Sequence, residues 1–514
     1  MKRWLSLLLA LCLCVGLMLP AAAADTEDVT VPTDYWTDEG NYKEPSIDAE
    51  TRTVSITSAA ELAWVAYRCM QGTTFAEYTI LLENDIDLSG HNWTSIGGVD
   101  AERKRVTPEK PFSGIFDGQG HKINGLQFYK LESYENFYGL FGNVIGGTIQ
   151  NLSLDGYVKA YDMVSMLVGY LSGYILNCDV QGTIDVIYAD DINALVFTFW
   201  DGAIFNSFVN CSFLYDGRTC QGNLFSSIHY STSIVNCCWN AETILQSNKN
   251  NFENCYAIPA NNTVDYAEKL NDVMIEGAAK WVMGEDGYPT LDFNNRVQNW
   301  IDVAEPVTPV DGVYYIDKPE QLAYIAKIVN EGNTLEGQTV LLRNDLDLSG
   351  KSWVPIGREK SVFSGEMNGN GHRITGLATP YNSDGYLNGY IGLVGHAGET
   401  AFLHDLSIDG DIFTRKSWCG LVLGKGDPGS HIKRCTVTGS VSAKSYLGGV
   451  AGQGFAISQC EARALTLTTR QNSDGGGGIC GGLTDRYYNS AHYNYIYPNI
   501  SECISSGTMQ GQYN

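Results

Sequence analysis

The sequence predicts an all-β chain of two tandem β-solenoid domains, each opening with a short capping helix. Three observations support this prediction: the chain is duplicated, apolar and polar residues alternate as in strands, and a short motif ending in glycine recurs within each copy. Coils of short strands and glycine turns, stacked on one another, have these properties.

The duplication is nearly residue for residue. Residues 56–97 match residues 316–357 at a constant offset of 260, and residues 112–126 (FSGIFDGQGHKINGL) match residues 363–377. A repeated unit of this length predicts two copies of one domain.

Each copy begins with a predicted amphipathic helix that covers one end of the strand stack. Ser58 and Glu61 have the spacing of a capping box, and Asp317 and Glu320 take their places in the second copy. The apolar stripes are Leu62, Val65, Ala66 and Cys69, and Leu322, Ile325, Ala326 and Val329.

Alternating residues after each helix predict a half-buried strand. The inward positions in the two copies are Ile80, Leu82, Ile86 and Leu88, and Val340, Leu342, Leu346 and Leu348. Asn84 and Asn344 share this inward parity, so we expect them to bond the backbone of neighbouring coils at a strand bend.

A shorter motif recurs inside each copy, as in 149–158, 175–184 and 432–441. The motif begins with an apolar residue, any residue and then Asn or Arg. Cys or Leu follows, then any residue and a second apolar residue, and a Gly comes after them. The spacing of roughly 20 to 40 residues is typical of solenoid repeats with inserted loops.

These residues resemble the GLUG-motif repeat proteins of bacteria. The motif stands as Gly139-Leu140-Phe141-Gly142 and Gly392-Leu393-Val394-Gly395, with variants at 448–452 and 478–482. The resemblance implies that each copy is a right-handed, pectin-lyase-like parallel β-helix in an exported or wall-attached, adhesin-like protein. The repeat also resembles the accessory region of immunoglobulin A1-specific metallopeptidases. No His here precedes a Glu, so their HExxH zinc motif is absent from the sequence.

Residues 1–24 are predicted to be a signal peptide. Lys2 and Arg3 precede the apolar run 4–19, and Ala22, Ala23 and Ala24 offer a small-residue cleavage site. We therefore expect a secreted, extracellular protein. Cell-wall association would require a region beyond residue 514.

The predicted boundaries are an N-terminal extension (25–49), a first domain (50–295), a linker (296–310) and a second domain (311–514). We expect the second domain to be truncated, because it has no counterpart of residues 281–293. Coverage of its last coil by another subunit is the alternative.

The charge balance is strongly acidic. The net charge of −25 becomes about −27 when Lys2 and Arg3 are removed, since −25 − 2 = −27. No basic stripe is present to neutralise phosphates, which argues against nucleic acid and anionic membranes as partners.

Two acidic pairs occupy equivalent places after the first strand: Asp85 with Asp87, and Asp345 with Asp347. Solvated turns or backbone capping are the favoured interpretation. Weak Ca²⁺ binding and acid–base catalysis remain alternatives, and no other cofactor or metal is expected. His121 and His372 are also equivalent, in GQGH and GNGH, and we expect each to bond backbone in a tight turn.

Cysteines recur at equivalent coil positions. They are Cys178, Cys211, Cys237, Cys255, Cys435, Cys460 and Cys503. The favoured interpretation is a buried ladder of thiols; disulfides between stacked coils and a metal site are the alternatives.

Residues 487–497 (YYNSAHYNYIY) are the candidate ligand-binding element, because tyrosines offer a flat apolar face and a hydroxyl. The candidates are Tyr487, Tyr488, Tyr493, Tyr495 and Tyr497. A hydrophobic loop folded on the coils is the alternative.

The predicted function is an adhesin-like binding or spacer protein without a catalytic site, contacting host or neighbouring-cell glycans or surface proteins. A polysaccharide lyase or hydrolase on the same fold is one alternative, supported by fold analogy alone. The non-catalytic front region of a larger surface enzyme is another.

Overall fold

The computed structural model describes most of the chain from residue 32 onward. The described residues are 32–98, 110–130, 138–161, 164–187, 192–229, 232–240, 243–244, 252–259, 262–271, 278–379, 389–414, 416–469, 476–484, 487–489 and 494–511. The predicted signal peptide, residues 1–24, lies outside them.

The described part is nearly all β and forms a β-solenoid of about 13 turns. Strands pair in parallel from coil to coil, as where Asp179–Val186 pairs with Phe208–Tyr215 in an unbroken register of eight residues. The predicted fold class is confirmed.

The first solenoid is built on two long sheets. One contains Ser46–Asp48, Thr53–Ile56, Thr79–Leu82, Ile115–Asp117, Phe141–Gln150, Val168–Leu176, Asn193–Phe205, Gly222–Ile228, Thr232–Val235, Thr243–Ile244 and Phe252–Glu253. The other contains Ile86–Asp87, Lys122–Lys130, Ser153–Ala160, Asp179–Val186, Phe208–Tyr215, Arg218–Thr219, Cys238–Asn240 and Tyr256–Ile258. A hairpin of Ala279–Met283 and Pro289–Arg296 follows.

The second solenoid has four stacks of parallel strands among its described residues. The first is Val313–Ile316, Thr339–Leu342, Glu366–Asn368, Phe402–His404, His431–Lys433, Ala456–Ser458 and Asn499–Ser501. The second is Leu346–Asp347, Arg373–Ala378, Ser407–Phe413, Thr436–Ala443, Glu461–Thr469 and Ile504–Gly511. The third is Val394–Ala397, Leu423–Gly426, Ala451–Gly454 and Cys480–Leu483, and the fourth is Ser417–Cys419, Ser445–Gly448 and Gly476–Gly477.

Helix α1 (Ala59–Met70) opens the first solenoid, α2 (Tyr266–Asn271) follows its last coil, and α3 (Pro319–Asn330) opens the second. The predicted apolar stripes of α1 and α3 are fully buried.

The predicted capping boxes are wrong in detail. Ser58 makes no side-chain cap bond, and Glu61 instead accepts from the backbone N–H of Thr57 at 2.7 Å. In the second copy Gln321, not Glu320, accepts from the N–H of Asp317 at 2.8 Å. The carboxylate or amide therefore ties the helix to the preceding strand rather than to the N-cap residue.

The glycines of the GLUG-type motif stand where the backbones of successive coils approach closely. A Cβ at Gly392 would lie 2.4 Å from the carbonyl oxygen of Gly420, and one at Gly395 would lie 2.4 Å from that of Gly357. No side chain fits at such distances, so the motif is explained by packing between coils.

The first solenoid is followed by a segment that folds back along its side. We call residues 262–271 and 278–296 the strap; it contains α2 and the hairpin. The chain continues from the strap directly into the second solenoid. Trp300, in a 3₁₀ turn at Trp300–Val303, is buried in the second core, and its Nε1 donates to the carbonyl of Leu348 at 2.9 Å. Part of the predicted linker is therefore packed core.

Candidate binding surfaces

The first acidic residue of each DxD pair caps the backbone of the next coil. Asp85 Oδ1 accepts from the N–H of Lys122 at 2.9 Å and lies 3.2 Å from His121 Nδ1. The second copy repeats this arrangement: Asp345 Oδ1 accepts from the N–H of Arg373 at 2.9 Å and lies 3.3 Å from His372 Nδ1. The histidines thus pair with a carboxylate, and the expectation that their rings bond backbone is wrong.

The second acidic residue of each pair caps its own turn. Asp87 Oδ1 accepts from the N–H of Ser89, and Asp347 Oδ1 from that of Ser349, both at 2.9 Å. One oxygen of each Asp is thus engaged by backbone, in the same way in both copies. No group of three or more His, Cys, Asp or Glu residues able to hold a metal occurs in the described part of the chain.

Asn84 and Asn344 are exposed, so their predicted inward orientation is wrong. Their expected partners are nevertheless present. Asn84 Nδ2 donates to the carbonyl of Thr57 at 3.2 Å, and Asn344 Nδ2 to that of Asp317 at 3.0 Å. The amides bridge adjacent coils from outside, at the corner where each strand ends.

The cysteine ladder exists in two columns. In the first solenoid the column runs through Cys178, Ser207, Cys237 and Cys255, and the N–H of Cys237 points at the Sγ of Cys255 at 3.5 Å. In the second it runs through Cys435, Cys460 and Cys503, with N–H to Sγ distances of 3.5 and 3.4 Å. All are thiols in this structure.

Cys211 does not belong to the first column, contrary to prediction. It lies inside strand Phe208–Tyr215, opposite Gly182, four residues beyond the column position of Ser207. Burial raises the pKa of the Cys178 thiol to about 12, so this thiol stays protonated at neutral pH.

The predicted aromatic loop is a β-hairpin of Tyr487–Asn489 and Asn494–Ile496, separate from the coil sheets. Tyr488 and Tyr495 are register partners, and Tyr487 is paired with Ile496. Tyr497, just after the hairpin, is 60% exposed. Tyr493 lies outside the described residues.

Sequence reasoning missed a ladder of asparagines at one corner of the first solenoid. Asn151, Asn177, Asn206 and Asn236 all have left-handed backbone, with φ between 49° and 53°. The side-chain Nδ2 of Asn177, Asn206 and Asn236 each donates to the Oδ1 of the preceding asparagine in the ladder, at 3.3, 2.8 and 2.9 Å respectively. Asn adopts this conformation more readily than other residues with a side chain, which was the available sequence signal.

The strap covers this ladder. Trp281 Nε1 donates to Asn177 Oδ1 at 2.8 Å, and Asn236 Nδ2 donates to the carbonyl of Leu270 at 3.0 Å. The ladder residues are buried, so these bonds satisfy polar groups that are removed from solvent.

Asp179 is completely buried beside the ladder. Its carboxylate accepts from Gln181 Nε2 at 3.0 Å and from Thr290 Oγ1 of the strap at 3.2 Å. Burial raises the pKa of Asp179 to about 6, although these two hydrogen bonds oppose the shift.

The equivalent corner of the second solenoid is charged and solvent-accessible. Asp405, Arg434, Gln459 and Glu502 have left-handed backbone, with φ between 53° and 56°. Arg434 Nε and Nη2 each lie 2.6 Å from a carboxylate oxygen of Asp405, and Gln459 Nε2 donates to Glu502 at 2.8 Å. The Arg434 guanidinium lowers the pKa of Asp405 to about 2.

His404 extends this network to the neighbouring face. Its Nδ1 lies 2.6 Å from Asp405 Oδ2 and its Nε2 lies 2.8 Å from Glu366 Oε1. The hydrogen bond with His404 lowers the pKa of Glu366 against the effect of burial. Acids, a histidine and an arginine therefore meet in one cluster, with both ring nitrogens and both Asp405 oxygens engaged.

A row of aromatic rings runs along another flank of the second solenoid. Trp418 and Tyr446 are stacked with centroids 5.7 Å apart, and Tyr390 meets Trp418 edge-on at 5.5 Å. Trp418 and Tyr446 have φ of 57° and 50°, which is costly for bulky residues. Trp418 thus contacts Tyr446 by stacking and Tyr390 edge-on, and these contacts between neighbouring rings stabilise the flank.

The chain matches no protein-family model. It is 37% identical over 102 residues to a provisionally named Gly-rich membrane protein from Evansella cellulosilytica, covering 20% of this chain and 11% of that protein. It is 29% identical over 124 residues to halomucin from Haloquadratum walsbyi, covering 22% of this chain and 1% of halomucin. The chain therefore spans 11% or less of the curated relatives it matches.

Among solved structures, a provisionally named immunoglobulin A1 protease from Bacteroides ovatus aligns with 91% of this chain and 97% of its own, at 12% identity. The TM-score of 0.22 is too low for this likeness to carry an argument. Among the described residues, no helix is both long and apolar enough to span a membrane.

Proposed function

We propose that this chain is an exported, surface-displayed spacer of the GLUG-repeat type that holds a glycan- or protein-binding element, the aromatic hairpin, away from its attachment point. The observation that carries the proposal is the packed junction between the two solenoids. A spacer requires domains that keep a fixed relative position, and an enzyme does not.

The following two contacts cross the junction. Phe413 of the second solenoid packs on Phe205 of the first, with ring centroids 5.0 Å apart. Phe205 belongs to an outward-facing apolar patch that also contains Leu176 and Val235. From the strap, Lys280 Nζ donates to the carbonyl of Gly350 of the second solenoid at 3.5 Å.

The aromatic hairpin supports a binding role. Directly opposed residues are the closest neighbours in an antiparallel pair, and Tyr488 and Tyr495 are so placed. Tyrosine is enriched at recognition surfaces because one ring supplies both apolar contact and a hydroxyl. No second apolar element is needed for a weak glycan contact.

Export and surface display rest on the amino-terminal pattern and on two names. The relatives are named as a membrane protein and as halomucin, which supports a surface location for proteins that contain this segment. The acidic balance of −25 suits an exposed, soluble surface.

The cluster of Glu366, His404, Asp405 and Arg434 favours a second candidate, a polysaccharide lyase or hydrolase. Acids and a basic residue on the outer face are the arrangement such enzymes use. We place it second because every group is engaged by another and the pKa values of both acids are lowered. A general acid requires a raised pKa.

The test is a glycan, mucin and uronic-acid polymer array, probed with the full chain with and without Ca²⁺. We expect saturable binding that is lost in Tyr488→Ala/Tyr495→Ala. Tyr215→Ala, which removes an exposed tyrosine of the first solenoid, is the matched control. Binding unchanged by the hairpin substitutions would refute the hairpin as the site, and no binding would refute the glycan version. Loss of arrayed uronic-acid polymer would establish the enzyme instead.

A further inference from the structure

Two thiols are stacked in the last two described coils of each solenoid. In the first, Cys237 and Cys255 precede the strands Cys238–Asn240 and Tyr256–Ile258, where Cys238 pairs with Tyr256. In the second, Cys460 and Cys503 precede Glu461 and Ile504, which pair in the same way. The thiols of each pair therefore occupy one register position on adjacent strands.

The spacing of these positions is that of a disulfide. Adjacent strands lie about 4.8 Å apart, within the range of about 4.4 to 6.8 Å for the two Cα atoms of a disulfide. In each pair the backbone N–H of the earlier cysteine points at the Sγ of the later one, at 3.5 Å for Cys237 and Cys255 and at 3.4 Å for Cys460 and Cys503. The strand spacing and the register of each pair are therefore compatible with a disulfide.

We propose that Cys237–Cys255 and Cys460–Cys503 are oxidation sites at which a disulfide fastens the last described coil of each solenoid to the coil before it. Both pairs lie at the end remote from the capping helix. Among the described strands, the coil of Cys255 pairs with one neighbouring coil only, so a covalent bond there restrains a coil that is held on one side.

The second column contains three thiols, and accessibility selects the pair. Cys435 is fully buried and Cys460 nearly so, whereas Cys503 is partly exposed. An oxidant therefore reaches Cys503 first, and Cys460 is the thiol beside it. A Cys435–Cys460 bond would require an oxidant to reach a thiol that is buried from solvent.

The chemistry is thiol–disulfide exchange with a low-molecular-weight disulfide. Cys503 attacks one sulfur of that disulfide, forms a mixed disulfide and releases one small thiol. Cys460 then attacks the Cys503 sulfur and expels the second small thiol. The two cysteines lose two protons and two electrons in total, and the small disulfide gains them. Hydrogen bonding with the Cys435 thiol lowers the pKa of Cys460 against burial, which favours Cys460 as the attacking thiolate.

The first column supplies a natural control. Ser207 occupies the position between Cys178 and Cys237, and its Oγ accepts from the N–H of Cys178 at 3.1 Å. Serine is thus compatible with this site, so Cys255→Ser and Cys503→Ser are expected to fold. Because Ser207 separates Cys178 from Cys237 in the column, Cys178 should stay reduced.

The experiment uses the full chain, purified reduced and then oxidised with glutathione disulfide under native conditions. Remaining thiols are alkylated, and intact mass and peptide mapping identify the cross-links. We expect the loss of two hydrogens for each pair and linked peptides containing 237 with 255 and 460 with 503. Cys503→Ser should remove only the second link and Cys255→Ser only the first, while Cys211→Ser should remove neither.

Three outcomes would overturn the proposal. They are alkylation of all four cysteines after oxidation, linkage of Cys435 to Cys460 in the wild-type chain, and scrambled links that persist in Cys211→Ser. Circular dichroism of each variant distinguishes a lost link from a lost fold.

Discussion

Replacing Asp179 with asparagine should stabilise the strap at neutral pH, because the carboxylate is charged and buried. Its pKa of about 6 in the folded state lies above the ordinary value of 3.8. The folded state therefore binds the proton more tightly, and stability is greatest below pH 3.8 and decreases as pH rises to 6. The difference of about 2 pKa units corresponds to ~3 kcal/mol, an order of magnitude for the cost of ionisation.

The amide introduced by Asp179→Asn cannot ionise, so the variant avoids this cost. Its gain over wild type should approach ~3 kcal/mol above pH 6 and vanish near pH 4. Hydrogen exchange of residues 278–296, corrected for intrinsic rates, measures the opening of the strap. We expect exchange at pH 7.5 to slow by up to about 100-fold, since 1.4 kcal/mol is about tenfold.

The control is Asp155→Asn, which changes a partly exposed carboxylate on the same sheet. It should leave exchange in the strap unchanged. Faster exchange in Asp179→Asn at pH 7.5 would refute the reasoning, because the bonds from Thr290 and Gln181 to the charged oxygens would then outweigh the cost of burial. An equal effect at pH 4 and pH 7.5 would also refute it.

Three further predictions concern bonds and contacts described above. Trp281→Phe keeps an aromatic ring but leaves Asn177 Oδ1 without its donor from the strap, so the free energy of opening the strap should fall by about 1–3 kcal/mol. The control is Trp300→Phe, which loses the bond to Leu348 and should leave hydrogen exchange in the strap unchanged. Gly395→Ala places a Cβ 2.4 Å from the Gly357 carbonyl oxygen and should lower the free energy of unfolding of the second solenoid, measured in urea, by about 1–3 kcal/mol. Gly476→Ala, whose Cβ would have its nearest atom at 3.6 Å, should be tolerated. Equal effects of the two substitutions would contradict the packing argument. Arg434→Gln removes the guanidinium that lowers the pKa of Asp405 to about 2, so NMR titration of that carboxyl should show its pKa rise toward the ordinary value. Stability at pH 7 should change little, because both side chains are partly exposed. An unchanged titration would contradict the pairing.

Periodicity predicted what is local. The buried stripes of α1 and α3 and the strand parity of Ile80 and Leu82 follow from neighbouring residues alone, and these predictions are confirmed. Asn84 was wrongly predicted to face inward because the alternation of inward and outward residues was counted through a bend. The strand ends at Leu82 and the next begins at Ile86, so the chain turns a corner although apolar and polar residues still alternate in the sequence.

Cys211 was wrongly assigned to the cysteine column for a related reason. The corner of its coil is Asn206 followed by Ser207, and Asn210–Cys211, four residues later, has the same Asn–Cys sequence as the corner motif. The strap could not be predicted from sequence, because residues 262–296 lack the coil motif. Its bonds join residues up to 177 positions apart. Such contacts are determined by the assembled coils and leave no periodic pattern.

The strap also changes how the first solenoid can come apart. A bare stack of coils is a zipper, whose turns open one after another from an end. The strap touches Gln119, Asn177 and Asn236, which belong to coils far apart along the stack. None of these coils can peel away until the strap has detached, so unfolding should become a single cooperative event with one high barrier.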